Sequence, residues 1–575
     1  MQRNLILLFV LLPFLGFNQN ITTRFEQSKG TETPTYSEII KWWEKLDALS
    51  PMVKMQAMGP TDAGYPLHLI LVSTDKNFDI AAAKAKGKSI IFINNGIHPG
   101  EPDGIDASML LVRDIVANKY RLPPNILLAI IPVYNIGGAL NRSKNFRVDQ
   151  NGPVEKGFRG NSQNLDLNRD FIKSDSKEAR SFAQIFHLLN PDVFVDNHVS
   201  NGADYQHIIT LLTTQHNKLG GAMGTFLNEK FDPSLTTLMK GKGYDLVPYV
   251  NHAGDTPDKG WAEYWDSPRY STGYAALWNT FGFMPETHML KSYQQRVKAT
   301  YFLLQSFIEF TATNSKEITA LRATVFKQQQ WQTSFPISWK WEKTKSVMIP
   351  FKGYEAAYKQ SEISGQQRLY YNREKPLNIK VPFYNTFLDS LNVTKPTAYI
   401  IPQGWWKVLD LLKLNGVKME PLKKDTIIEV EAYRIEKYTS SNRPFEGHHL
   451  NSGVQVSSTL KKVGFRKGDY FIPMNQMANR FLMETLEPQG EDSYFAWNFF
   501  DAILGQKEGF SDYVFEETAT EYLKSNPDIK KKLDQRRATD SAFAKSGAAQ
   551  LNYIFQSSPY YEPAHLLYPV YRVVK

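Results

Sequence analysis

The chain has 575 residues, 42% of them hydrophobic and 22% charged, with a formal net charge of +9 and no cysteine. This length points to two or more domains with ample core, and the ordinary composition excludes a disordered or coiled-coil protein. Without cysteine there is neither a disulfide framework nor a thiol for lipid attachment. The basic residues are scattered, with only short runs such as Lys530-Lys531-Lys532 and Arg536-Arg537. They read as solvated helix faces, so nucleic acid is not expected as a partner; attraction to an anionic envelope or anionic peptides is the functional alternative.

At the N-terminus, Arg3 precedes a nearly all-apolar run over residues 5–17. That run is too short for a membrane span, which needs about 20 apolar residues. It predicts a signal peptide over residues 1–19, an exported (periplasmic or secreted) protein, and no stable span after its removal. Residues 33–49 predict a helix, because Tyr36, Ile39, Ile40, Trp43 and Leu46 fall on one face. Strands come next at 53–58 and 67–72, joined by a turn. The apolar stretch 89–93 reads as a buried strand, ending in the turn Asn94-Asn95-Gly96. A helix over 103–116 and a strand over 126–133 complete a β-α-β unit. A parallel strand delivers the residues after its C-terminal end to the crevice where α/β proteins bind ligands. His98 and Glu101 stand there, three residues apart, an N/O pair that zinc accepts.

Residues 141–164 are polar and turn-rich, as a loop over an active site would be. A helix over 177–189 leads into a strand that His198 closes, and another strand is expected over 205–213. Residues 241–273, rich in Gly, Pro and aromatics, read as a long substrate-side loop. A short strand over 281–287 carries Glu286, and a helix over 292–310 closes the unit. Beyond residue 314 strand-like segments dominate (345–351, 369–371, 398–402, 426–434, 454–463), with helices at 405–414 and 475–486 and a helical, charged end. No catalytic motif stands out there; His448-His449 lacks a carboxylate or Cys at ligand spacing and reads as structural.

Four motifs now stand in order: His98-x-x-Glu101 after a strand, Arg159 with Asn168-Arg169 in Asp166-Leu167-Asn168-Arg169, His198 at a strand end, and Glu286 on a late strand. Together they make residues 35–315 resemble the zinc carboxypeptidase family, the metallopeptidases related to carboxypeptidase A. The resemblance implies an α/β fold with a mixed, mostly parallel sheet flanked by helices, in a catalytic domain over 30–315. A second, strand-rich α+β accessory region of unknown function is expected over 330–575.

It also implies one zinc per chain on His98, Glu101 and His198, with Glu286 as general base and acid. Arg159 would stabilise the oxyanion, and Asn168 and Arg169 would hold the C-terminal carboxylate of a peptide substrate. Tyr270 is the expected loop tyrosine, with Tyr264 and Tyr274 as rivals. Asp196, on the same side of its strand as His198, is placed to orient that ring, and His288 shares a strand face with Glu286. Asp170 departs from the family's usual Asn and adds a negative charge near the clamp. The side-chain pocket is expected within residues 270–279, with Arg269 as a group that would favour acidic residues. A deacylase of small molecules and a non-catalytic peptide- or glycan-binding protein are the competing readings. The paired retention of Arg159 and Asn168-Arg169 favours a peptide carboxylate.

Overall fold

The computed structural model describes residues 21–251 and 256–574, so the expected signal peptide lies outside the described residues. Helix α1 (Tyr36–Leu49) starts at a Thr35 cap whose hydroxyl accepts from the Glu38 amide while the Glu38 carboxylate accepts from the Thr35 amide, the reciprocal pairing that satisfies two otherwise orphan donors. Strands β1 (Val53–Pro60) and β2 (Pro66–Val72) form the expected antiparallel pair. Next come β3 (Ser89–Asn94), α2 (Asp103–Val116), β4 (Ile126–Ile131), α3 (Lys177–Leu189), β5 (Val193–Asp196), β6 (His198–Ser200) and β7 (Ile209–Thr213). Helix α4 (Asp232–Gly241), β8 (Val247–Pro248), α5 (Ser271–Leu277), β9 (Phe281–His288) and α6 (Tyr293–Trp331) complete this half.

The strands form a nine-stranded sheet in the order β1-β2-β4-β3-β5-β9-β7-β8, with β6 also paired to β9. β3 is parallel to both β4 and β5, and β9 is parallel to β5 and β6. Antiparallel pairing is confined to β1/β2, β2/β4 and β7/β9. The sheet is thus mixed and mainly parallel, as expected. Every residue of β3, β4 and β5 is buried, which explains why they read as continuous apolar runs instead of alternating ones.

Side chains alternate across the pleat. Ile91, Ile93, Val193 and Val195 face a core built with Trp43, Leu46, Leu111, Val112, Val297 and Phe307 of α1, α2 and α6. Ile90, Phe92 and Phe194 face the other way, onto Phe182 and Phe186 of α3 and onto Tyr399, Leu411, Phe481 and Trp497 from far along the chain. One face of the central sheet therefore shares its core with the C-terminal region.

Two elements differ from expectation. Helix α6 continues past residue 310 to Trp331, because its second half buries Ile318 and Phe326 and inserts Arg322 among Asp192, Asn190 and Asn279. Residues 205–208 precede the strand and leave only Ile209–Thr213 extended. After α6, long two-stranded ribbons pair Val347–Gln360 with Gln367–Tyr384 and Thr426–Ser440 with Asn451–Phe465. A helical cluster over 512–557 comes after them. Among the described residues no helix is long and apolar enough to cross a membrane.

Candidate metal centre and active-site cleft

β3 ends at Asn94, and the tight turn after it sets His98 and Glu101 at the C-terminal edge of the parallel strands. Gly100 is required there: a Cβ on it would lie 2.6 Å from Arg147 Cδ and 2.7 Å from the Gly157 carbonyl oxygen. β5 breaks at Asn197 and resumes as β6, which carries His198 to the same edge. His98, Glu101 and His198 are all buried, and their ligand atoms lie within 4.8 Å of one another.

The hydrogen bonds define which atoms face the shared space. Nε2 of His98 is 3.0 Å from Asp166 Oδ1, and Nε2 of His198 is 3.1 Å from Asp196 Oδ2. Both imidazoles therefore turn Nδ1 toward Glu101, at 3.3 Å from Oε1 for His98 and 3.2 Å from Oε2 for His198. Nδ1 of His98 is buried without a hydrogen-bond partner. An orphaned buried nitrogen facing a carboxylate and a second Nδ1, with each Nε2 tied to a carboxylate, is the donor set of a His₂Glu metal centre. The residues fit a divalent zinc ion.

Burial alone would raise the Glu101 carboxyl, but the charges of Arg147 and His98 and the hydrogen bond with His198 hold it well below the usual range. Burial works against the His198 imidazolium; the charge and hydrogen bond of Asp196, then those of Glu101, push its pKa well up all the same. Glu286 behaves oppositely. Burial in β9, helped by the Glu101 charge and opposed by His198, Arg147 and Arg159, raises its pKa to about 8. Its Oε2 has no partner. Parallel pairing sets Glu286 directly beside His198.

These groups line one cavity of about 230 Å³ together with Arg147, Arg159, Asn168, Arg169, Tyr249, Tyr264 and Tyr270. Arg159 donates from Nε to Asp166 Oδ2 at 2.9 Å, and its Nη1 is 3.8 Å from Glu101 Oε1. Arg169 lies over the Tyr270 ring, 4.5 Å from the centroid, with Nη1 donating to the Asn168 carbonyl at 2.7 Å. All eight residues singled out from the sequence as metal, catalytic or substrate groups therefore meet in this cleft.

Several neighbours behave otherwise than expected. Tyr274 is fully buried, its hydroxyl donating to Asn415 at 2.6 Å, whereas Tyr264 lines the cleft with its ring 5.6 Å from that of Tyr270. His288 faces away, receiving the Tyr205 amide and lying 3.3 Å from Asp204. Asp170 leaves no free charge at the clamp: it is buried against Lys173 Nζ at 2.8 Å and caps α3 through Ser176. Arg269 pairs with Asp492 through its backbone amide and its guanidinium, so it is not available to attract an acidic side chain. Sequence reasoning did not single out Arg147, whose Nη1 sits 2.7 Å from Glu101 Oε1, or Tyr249, although both lie in the stretches read as active-site and substrate-side loops. It also gave no role to Asp166 beyond its place in the motif.

Comparison with known proteins agrees with the motifs. Residues 39–197 match the zinc carboxypeptidase family. Carboxypeptidase 2 of Trichophyton equinum is 19% identical over 502 residues, covering 84% of this chain and 87% of its own length. The Trichophyton rubrum protein of the same name is likewise 19% identical, over 504 residues with the same shares. Among solved structures, a metallo-carboxypeptidase from Pseudomonas aeruginosa in complex with (2-guanidinoethylmercapto)succinic acid is 14% identical with a TM-score of 0.37, covering 49% of this chain and 69% of its own. Carboxypeptidase A from Helicoverpa armigera is 14% identical with a TM-score of 0.37, covering 51% and 74%.

Proposed function

With residues 39–197 matching the zinc carboxypeptidase family, we propose that this protein is an exported zinc metallocarboxypeptidase that releases the C-terminal residue of peptides. A single observation carries the reading. The buried His98–Glu101–His198 set opens onto the same cleft as the unpartnered carboxyl of Glu286 and the guanidinium of Arg169. Bound there, one zinc ion supplies Lewis acidity, polarising the scissile carbonyl and easing the ionisation of water.

The chain's own residues do the rest. Asn168 and Arg169 bind the terminal carboxylate, which a guanidinium fork matches with paired hydrogen bonds, and the Tyr270 ring holds Arg169 in place. That contact orients the final amide toward Glu286. Glu286 takes a proton from water at its free Oε2 and passes it to the nitrogen of the departing amine. Burial raises its pKa to about 8, which suits handing the proton on, and the positive charge a bound dication would supply favours the carboxylate form that accepts it. Arg159, held by Asp166, donates to the oxyanion that develops on the scissile carbonyl. Residues 30–315 act as the catalytic domain and 330–575 as the accessory region.

The test is hydrolysis of a peptide and of its C-terminal amide by the zinc-loaded chain. Amidation removes a charge-assisted hydrogen bond, so kcat/KM falls by at least about tenfold, and a chelator abolishes turnover of both. Equal cleavage of acid and amide, or cleavage inside the peptide, refutes the reading. Elemental analysis finding no first-row metal in protein purified without chelator removes the ligand assignment; His98→Ala and His198→Ala are each expected to lose the metal.

A further inference from the structure

Glu286 lines the cleft, and side chains alternate across a strand. Its neighbour Thr287 therefore points to the other face of β9, the one that Phe281 and Phe283 bury against α2 and α6. There the Thr287 hydroxyl donates to Asp103 Oδ2 at 2.7 Å. Asp103 opens α2, two residues after Glu101. Arg296, near the start of α6, donates from Nε to the same oxygen at 3.2 Å. All three side chains are buried, and Arg296 is wholly so. None of them lines the cleft, so the chemistry proposed above gives them no task.

The guanidinium uses its other hydrogens on backbone. Nη1 donates to the carbonyls of Asn151 and Lys291, each at 2.7 Å, and Nη2 to that of Gly152 at 3.0 Å. Lys291 follows closely on the end of β9 at His288, while Asn151 and Gly152 belong to the polar loop over residues 141–164. The Asn151 amide in turn donates to the Met289 carbonyl at 2.9 Å. One buried cation thus ties the exit of the strand carrying Glu286 to that loop.

From Gly152 the contacts run back to the cleft. Gln150 Nε2 donates to the Gly152 carbonyl at 3.0 Å and to the Gly100 carbonyl at 2.7 Å. Gln150 Oε1 accepts from Arg147 Nε, and Arg147 Nη1 sits 2.7 Å from Glu101 Oε1. The Asp103–Arg296 pair therefore backs two walls at once, β9 with Glu286 and the Glu101 turn with Arg147.

Stability does not account for such a pair. Desolvation offsets most of the attraction, so a buried ion pair adds little over apolar side chains of the same volume. What it gives is direction, because arginine presents its donors in a rigid fork. Here the fork reaches three stretches of chain far apart in sequence: Asp103, the Asn151–Gly152 loop and Lys291. A reacting group misplaced by about 1 Å loses about 10²-fold in rate, so a general base needs backing of this kind.

We propose that Thr287, Asp103 and Arg296 are positioning residues for the cleft. Thr287, held by Asp103, fixes Glu286 from behind the sheet, and Arg296 fixes the loop that brings Arg147 to Glu101. The inference rests on the carboxypeptidase reading and adds to it a set of groups that never touch substrate.

The experiment has two arms. Thr287→Val keeps the shape of the side chain and removes the hydroxyl, leaving Asp103 paired with Arg296. In the zinc-loaded full chain it is expected to lower kcat on a free-acid peptide by about tenfold or more, with KM, zinc content and circular dichroism unchanged. Thr287→Ser, which restores the hydroxyl, is expected to recover most of the loss. Native kcat in Thr287→Val, a loss carried by KM, or an equal loss in Thr287→Ser overturns the proposal. A Thr287→Val chain that does not fold marks a structural role and overturns it likewise. The second arm needs no turnover. Arg296→Lys keeps the charge but lacks the fork, so in chelator-treated protein the Asn151 amide is expected to exchange its hydrogen at least about tenfold faster, while α3 on the opposite face exchanges as in the native chain. Native exchange at Asn151 overturns the role given to Arg296. If the native protein cuts no free-acid peptide, the carboxypeptidase reading itself fails, and the exchange arm still decides whether Arg296 holds the loop.

Discussion

Asp166 is the residue that ties the proposed metal centre to the proposed oxyanion side of the cleft, and comparing Asp166→Asn with Asp196→Asn tests this. Asp166 Oδ1 accepts from His98 Nε2 at 3.0 Å and from the Asn168 amide at 2.9 Å, while Oδ2 accepts from Arg159 at 2.9 Å. The charges of His98, Arg159 and Arg169 hold its carboxyl far below the usual range against the opposing effect of burial. An Asn here has one acceptor: whichever way it turns, an NH₂ group faces either His98 or Arg159. Loss of an outer partner of a metal-bound imidazole costs about 10–100-fold in metal affinity, or roughly 1.4–2.7 kcal/mol. Freeing Arg159 removes an aimed oxyanion donor, a loss of about 10²–10³ in kcat.

Asp196 differs. Its Oδ1 accepts from Asn94 Nδ2 at 2.9 Å, and Asn94 Oδ1 is itself unpartnered. After Asp196→Asn the Asn94 amide can turn over and accept from the new NH₂, so only charge is lost. We expect zinc affinity, measured by competition with a chromophoric chelator, to fall about 10–100-fold in both variants. At saturating zinc, kcat/KM of Asp196→Asn stays within about tenfold of the native value and that of Asp166→Asn falls by at least about 10². Native zinc affinity in Asp166→Asn, or equal rates of the two variants at saturating zinc, would falsify this division of labour.

Glu286→Gln keeps size and hydrogen-bonding reach but cannot accept the proton. Zinc content is expected to be unchanged and turnover to drop at least about 10²-fold; comparable hydrolysis would assign the base to another carboxylate. A second expectation concerns pH. Burial and Lys173 work against the His448 imidazolium, but the hydrogen bond and charge of Asp175, 2.7 Å away, and the Asn498 contact raise its pKa. A raised imidazole stabilises the fold fully below its unfolded value of about 6.5, and that contribution is lost as pH rises through the higher folded value. The melting temperature of His448→Gln should therefore lag the native protein most near pH 6 and converge with it in alkali. A gap that does not change with pH would mean that His448 stays neutral in the fold.

Much of the catalytic half was legible because its elements are locally encoded. The helix over Asp103–Val116 and that over Lys177–Leu189 begin and end where their patterns do, the latter between a Ser176 cap and a left-handed Asn190. The His98–Glu101–His198 cluster was legible because each of its residues comes just after a buried apolar strand. The second half of α6 was not, since a buried Arg322 spells solvent in a sequence and becomes core only through Asp192 and Asn190, residues more than a hundred positions away. The same holds for Arg147. Each is an ordinary charged residue until the chain brings a particular partner to it. His448, read from the sequence as structural, pairs with Asp175, a carboxylate that no spacing could reveal.

The C-terminal region touches the half that carries the candidate site at residues close to the proposed substrate clamp. Trp497 and Phe481 share the core of the sheet's second face with Phe92 and Phe182, so separating the halves would expose that face to water. Above that core, Asp492 neutralises Arg269, and the Glu446 carboxylate accepts from the Asp166 backbone amide at 2.8 Å. Asp166 is the residue that fixes both His98 and Arg159. Glu446 sits in the turn between the ribbon strands Thr426–Ser440 and Asn451–Phe465, and His448 anchors the same turn to Asp175. Ile349 and Phe383 wall the cavity that shares Tyr249 and Tyr264 with the cleft. An appended module with its own task would meet the catalytic half through a small polar patch away from the chemistry. Here the contacts converge on Asp166, the partner of His98, on the loop bearing Tyr264 and Tyr270, and on the adjoining cavity, so the geometry of the cleft is set by both halves of the chain.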